Sequence, residues 1–161
     1  MGVYVDGATV KRMKSTVVKN MKESEQASRK WLYSQFPKKG KEYWKELPFK
    51  DTNIRSVLYD RDMLNIPVTR TTKGGLPSVD AKCLKLLQET IPEIEHLLRY
   101  NKFEKLNSTY CDSLAEKFQV MKDGRLWMPV RVNPLATKTG RRASDKPNFQ
   151  NWPVPVRRLI V

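Results

Sequence analysis

The chain has 161 residues, enough for one modest domain with a core of its own. Hydrophobic residues at 39% and charged residues at 30% exclude disorder throughout, and no apolar run approaches the roughly 18 residues of a membrane-spanning helix. With 31 Lys and Arg against 17 Asp and Glu, the formal charge of +14 points to a polyanionic partner, nucleic acid first, and with no apolar run long enough to span one, no membrane partner is expected.

The first residues, Met-Gly-Val-Tyr-Val-Asp, lack the features of a signal peptide, so the expected location is cytoplasmic. Val5 leads into Asp6, a plausible helix N-cap. After it Val10, Met13, Val17, Met21, Ser24, Ser28 and Trp31 recur at steps of three and four, predicting one long amphipathic helix that ends before Pro37. Lys11, Lys14, Lys19, Lys22 and Lys30 fall on its other face, where a solvated surface is the simplest reading.

Pro37, Gly40 and three lysines break this helix, and Tyr43, Trp44 and Phe49 follow. Aromatics among basic residues can stack on bases while lysines track phosphates. They can equally seal a loop onto the core, and both readings stand. A short helix is expected over residues 53–59, closed by Leu64, Ile66 and Pro67.

Residues 71–80, Thr-Thr-Lys-Gly-Gly-Leu-Pro-Ser-Val-Asp, read as a flexible loop ending in a helix start. Ser78 is the expected N-cap, and Asp80 suits the positive first turn. Gly74 and Gly75 beside Lys73 would expose backbone N–H groups to a phosphate, or serve as a plain hinge. Leu84 and Leu87 mark the next helix face. Pro92 then opens a helix with Ile94, Leu97, Leu98, Leu106, Tyr110 and Leu114 along its apolar stripe. His96 has no visible partner and is an ordinary helix residue.

Asp123-Gly124 signals a hairpin between residues 118–121 and 125–132. Leu126, Met128, Val130 and Val132 alternate with Arg125, Trp127, Pro129 and Arg131, predicting one buried face, with Pro129 suggesting an edge strand. Cys83 and Cys111 are too far apart and too poorly accompanied for a zinc site or a disulfide framework, and read as reduced, packed thiols.

Residues 139–153, Thr-Gly-Arg-Arg-Ala-Ser-Asp-Lys-Pro-Asn-Phe-Gln-Asn-Trp-Pro, combine a glycine, two arginines, a Pro-Asn turn and three side-chain amides in a stretch unsuited to an ordinary helix or strand. Arg141, Asn148, Gln150 and Asn151 supply forked donors and donor/acceptor amides. This stretch resembles the Thr-Gly-Arg-x-Ser-Ser-x-x-Pro-Asn-Leu-Gln-Asn-Ile-Pro signature of family A DNA polymerases, the bacterial polymerase I type. Arg142, Ala143, Phe149 and Trp152 depart from it.

Further segments carry the resemblance. The 71–80 loop is similar to the family's Lys-Thr-x-Gly-x-Pro-Ser-Thr loop. Residues 100–110 are similar to its Tyr-Arg-x-Leu-x-Lys-Leu-x-Ser-Thr-Tyr helix, with Asn101 in place of an arginine. Gly2 to Asp6 are close to the Gly-Ile-x-Val-Asp that opens the polymerase region.

The resemblance implies an α+β fold: a mainly helical thumb over residues 1–116, including the Lys/Gly-rich loop 71–78, then an N-terminal palm β segment over 117–161. It places Arg141 at the primer terminus, where a donor aimed into the minor groove senses correct pairing through purine N3 and pyrimidine O2. Gln150, Asn151 and Asn148 would share or brace that role. Lys73, Thr72, Ser78, Lys105, Asn107 and Ser108 become DNA-backbone contacts. Arg142 adds another or faces a partner protein.

The family's metal-binding aspartates lie on palm strands after the Thr-Gly-Arg stretch, so the expectation is no cofactor on this chain alone. Mg2+ would be held in the assembled polymerase by a second chain carrying palm and fingers, with room for a third, exonuclease, chain. Residues 159–161, Leu-Ile-Val, would pair with the partner's first strand. The chain would be the DNA-gripping subunit of a split polymerase, not catalytic alone. The alternative is a non-catalytic nucleic-acid-binding or virion protein derived from such a polymerase.

Overall fold

A computed structural model describes residues 2–112, 116–121, 125–129, 131–133, 143–145 and 152–158. The order of elements is α+β. It runs β1 (Gly2–Val5), α1 (Gly7–Gln35), a 3-10 turn (Pro37–Lys39), α2 (Lys41–Glu46), α3 (Asp51–Tyr59), α4 (Ala81–Gln88) and α5 (Ile94–Leu106). A π-helical turn (Asn107–Asp112) follows, then β2 (Gln119–Val120), β3 (Leu126–Pro129), β4 (Arg131–Asn133), β5 (Ala143–Asp145) and α6 (Val154–Arg157). Two compact units result, one of Met1–Val18 with Lys105–Val161, the other of Lys19–Glu104.

The long helix is the one the periodicity predicts. Asp6 caps it: its carboxylate accepts from the backbone N–H of Thr9 at 2.9 Å and of Ala8 at 3.2 Å, and from the Thr9 hydroxyl. These bonds, the Thr9 hydroxyl foremost, hold the Asp6 carboxyl below the usual carboxylate value. A depressed folded-state pKa means the cap contributes fully above the ordinary carboxylate range and is lost as pH falls through the lower folded value. Amide-exchange protection of Ala8 and Thr9 should therefore fade as the solution is acidified through and below the ordinary carboxylate range. Asp6→Asn, which keeps an acceptor but not the titration, should remove that pH dependence; a wild-type fade that persists in Asp6→Asn would refute the assignment.

Ser24 and Ser28 sit on the buried face of α1 without leaving a polar orphan. Each hydroxyl donates to the carbonyl four residues back, Ser24 to Asn20 at 2.8 Å and Ser28 to Ser24 at 2.9 Å. The helix stops at Gln35, ahead of Pro37, because a proline disfavours helical backbone in the residue before it.

In the unit of Lys19–Glu104, Trp31 and Leu32 of α1 pack with Trp44 of α2, Ile54, Val57 and Leu58 of α3, Leu84 and Leu87 of α4, and Ile94 and Leu97 of α5. Arg29 braces this core at its margin. It pairs with Glu25 at 2.5 Å, donates to the Trp44 carbonyl and lies 4.6 Å from the Phe49 ring centroid.

The other unit holds a three-stranded antiparallel sheet of order β1-β3-β2. Val3 stands opposite Met128, Val5 opposite Leu126, and Trp127 opposite Gln119. Val5, Val10, Met128, Trp152 and Val156 form its buried cluster. The hairpin pairing is as expected, whereas its turn, Asp123-Gly124, falls outside the described residues.

Three expectations are corrected here. First, Pro129 does not mark an edge strand, since β3 is central. The Met121 N–H donates to the Arg125 carbonyl at 2.8 Å, so by two-residue alternation Arg125, Trp127 and Pro129 turn their backbone groups toward β2. Pairing with β2 stops at Trp127, and the missing N–H of Pro129 therefore breaks no ladder. Second, the single strand expected over 125–132 is two, because β4 leaves this sheet and pairs with β5 instead. Third, the stretch 139–153 contains a strand after all: Ala143–Asp145 pairs antiparallel with Arg131–Asn133, Ser144 opposite Val132.

The last long helix also differs from its periodicity. Regular α-helix ends at Leu106, and Asn107–Asp112 widens into a π turn. Asn, Ser and Thr in succession offer the backbone competing side-chain bonds, which weakens continuation of the α ladder.

Candidate nucleic-acid interface

Lys73 stands at the tip of a closed hairpin, not on a hinge. Thr71 bridges Pro77, the Thr72 N–H donates to the Leu76 carbonyl at 2.7 Å, and the Gly75 N–H donates to the Thr72 carbonyl at 3.0 Å. A three-residue loop of this kind needs a left-handed residue at its end, and Gly75 supplies it with φ of +79°. The Gly75 N–H is thus spent inside the turn and is not presented to a phosphate. What the loop does present is exposed side chain: Thr72, Lys73 and Leu76.

Because nothing lies within 4 Å of a Cβ built on Gly75, a substitution there meets backbone strain and no clash. Gly75→Val should lower stability by about 1–2 kcal/mol, and Gly74→Ala should change it by less than about 0.5 kcal/mol. Urea titration of the two variants checks the contrast; equal effects would refute the turn assignment.

Two residues of α3 hold the base of this hairpin. Arg55 Nε donates to the Pro77 carbonyl at 2.7 Å, and the Tyr59 hydroxyl donates to the Ser78 carbonyl at 2.7 Å. With its proton on Ser78, the Tyr59 oxygen is left to accept from the buried Cys83 thiol at 3.2 Å. Burial pushes the Tyr59 hydroxyl well above its ordinary pKa, and the Cys83 contact adds to the shift.

Ser78 is itself buried, and its Oγ accepts from the Asp80 N–H at 3.3 Å. The N-cap of α4 is Asp80, whose carboxylate accepts from the Cys83 N–H at 2.7 Å. Ser78 lies too far before the first helical turn to reach it.

The second group of expected contacts lies in the other unit. Lys105 is exposed in the last turn of α5, and Ser108 and Thr109 are exposed in the π turn. Tyr110 and Cys111 point inward, and burial raises the Cys111 thiol pKa, with Asp112 adding to it. Asn107 is partly buried, and its Nδ2 donates to Asp112 Oδ2 at 3.1 Å. The other Asp112 oxygen meets Lys14 Nζ of α1 at 2.9 Å.

Arg141, Arg142, Asn148, Gln150, Asn151 and residues 159–161 fall outside the described residues. Described residues flank that segment. Strand β5 follows Arg142 directly, and Trp152, where the resemblance has isoleucine, is buried with Val5, Val10, Met128 and Val156.

Of the two readings of the aromatic pair, the core reading holds for Trp44, which is 1% exposed and donates from its indole to the Phe36 carbonyl. Tyr43 is 41% exposed, edge-on to Trp44 at 5.0 Å, with Lys39 Nζ 5.3 Å from its ring centroid.

Among the described residues no three His, Cys, Asp or Glu side chains are grouped to hold a metal ion, and no helix is long and apolar enough to cross a membrane. The residues that position these surfaces, Arg55, Tyr59, Lys14 and Asp112, had no sequence signal. Each acts on a partner distant along the chain, 98 residues away for Lys14 and Asp112.

Comparison with known proteins bears on all of these segments. The model of DNA polymerase family A matches residues 9–159. Thermostable DNA polymerase I of Thermus aquaticus is 40% identical over 102 residues, covering 63% of this chain and 12% of that protein. DNA polymerase I of Bacillus subtilis is 28% identical over 159 residues, covering 95% of this chain and 16% of that protein. The chain therefore spans only a small part of these relatives. A solved structure, the POL domain of Pol1 from M. smegmatis in complex with DNA primer-template and dNTP, aligns over 98% of this chain and 26% of that one, with TM-score 0.70 and 28% identity. By sequence and by fold, the chain belongs to DNA polymerase family A.

Proposed function

We propose that these residues grip primer-template duplex in a DNA polymerase as thumb and leading palm, and that a partner chain carries the metal-binding carboxylates and fingers. The observation that carries the reading is the likeness, over 98% of the chain, to a polymerase domain described with primer-template and dNTP. Exposed Thr72 and Lys73 in one unit, and exposed Lys105 and Ser108 in the other, each have the right chemistry for phosphates. The described residues do not themselves fit a magnesium site, so the reading assigns Mg2+ to carboxylates outside them. The assembly would work where the DNA is, in the cytoplasm.

In this reading Arg141 senses the terminal base pair, with Gln150, Asn151 and Asn148 beside it and Arg142 on a phosphate. The test is primer extension by this chain together with a palm- and fingers-bearing chain. Wild type should restore extension, and Arg141→Ala should reduce extension more than duplex binding. The split arrangement fails if no palm-bearing chain binds or is activated, and equal losses in the two assays would make Arg141 a phosphate anchor.

A further inference from the structure

An α-helix cannot join its residues 107 and 112 side by side. At about 100° per residue the two positions stand about 140° apart around the axis. A π turn, with its wider repeat and i to i+5 bonds, brings them onto one face. The hydrogen bond from Asn107 Nδ2 to Asp112 Oδ2, which joins the first and last residues of the Asn107–Asp112 turn, is therefore available to the π form and not to the α form.

It also fixes the amide. A carboxylate only accepts, so Asn107 must offer it Nδ2, and Oδ1 is turned inward, where it has no partner among the described residues. An unsatisfied buried acceptor is a cost, which something else has to offset. Lys14, from the other end of the unit's sequence, binds the second Asp112 oxygen at 2.9 Å. At 46% and 48% exposure, this pair adds little to global stability. Its effect is local: it holds Asp112 at the place from which Asn107 can be reached.

We infer that Lys14 and Asp112 are positioning residues that select the π form of residues 107–112 and so aim the exposed Ser108 and Thr109, next to Lys105, at the DNA backbone. The inference rests on the proposed grip of duplex DNA. Neither Lys14 nor Asp112 need touch the duplex for it to hold.

Asp112→Ala separates this from simple electrostatics. Removing a negative charge from a basic surface should tighten DNA binding if charge alone matters. Loss of the positioning should instead weaken it, by roughly 3- to 10-fold. The experiment uses the 161-residue chain and a short primed duplex, with dissociation constants measured across a salt series. Amide exchange of residues 107–112 and a thermal melt are measured alongside.

The expected result is weaker binding by Asp112→Ala with the salt slope of wild type, faster exchange confined to the turn, and little change in melting. Lys14→Met should show the same pattern, whereas a lysine that contacts phosphate would lower the slope by about 0.9. If Asp112→Ala binds as tightly as wild type or more tightly, or if its turn keeps wild-type exchange, the positioning role is overturned while the grip on DNA stands. If wild type binds no duplex, the grip itself is wrong, and the aim at DNA falls with it.

Discussion

Trp44→Ala is expected to destabilise the unit of Lys19–Glu104 by about 3–5 kcal/mol. The indole is almost wholly enclosed, tilted against Phe36 at 5.8 Å and met edge-on by Tyr43 at 5.0 Å. Truncation removes the ring's transfer free energy and leaves a void at the junction of α1 and α2, near the Arg29 guanidinium that bonds the Trp44 carbonyl. Against a typical total of about 5–15 kcal/mol, that loss is a large fraction of the stability. Urea titration measures it. Tyr43→Ala is the control, expected to cost only about 0.5–1.5 kcal/mol for the lost edge contact. Similar costs for the two would mean that Trp44 is not the core residue its enclosure indicates.

The second large effect concerns salt. If Lys73, Lys105 and Arg142 each neutralise one phosphate, raising salt from about 50 to about 200 mM should weaken duplex binding by about 40-fold, from a slope near −0.9 per contact. Single alanine substitutions at these positions should each flatten the slope by about 0.9 and weaken binding uniformly across sequences. Lys73 and Lys105 are both exposed, which leaves their ammonium groups open to a phosphate. An unchanged slope in Lys73→Ala would assign that residue to the solvated surface and leave the hairpin tip without a role in binding. Titration by fluorescence anisotropy at several salt concentrations gives the slopes directly.

Periodicity alone makes most of the helical part legible. Val10, Trp31, Leu84, Leu87, Ile94 and Leu97 are buried where a three- and four-residue repeat puts them, and even Ser24 and Ser28 keep the repeat because a short hydroxyl can return to its own helix. The Asp-Gly signal likewise foretells the pairing of β2 with β3. Strand order is not legible, since Pro129 reads as an edge residue unless the length of its neighbour is known.

At the candidate site the tip residues can be named from the sequence, but not what holds them. A glycine pair reads equally as a hinge or as a closed turn. The distinction rests on two backbone bonds, Thr72 to Leu76 and Gly75 to Thr72, and on Arg55 and Tyr59 reaching over from α3. The π turn is hidden for a related reason. The bond that favours it forms between Asn107 and Asp112, but the lysine that steadies it belongs to a helix near the start of the chain.

The placement of Pro129 has a protective consequence. Beyond the end of β2, the flank of β3 would otherwise offer a free amide hydrogen to any passing extended segment, the usual route to unwanted intermolecular sheet growth. With an imino acid there, that stretch of β3 has no amide hydrogen to donate to an incoming strand.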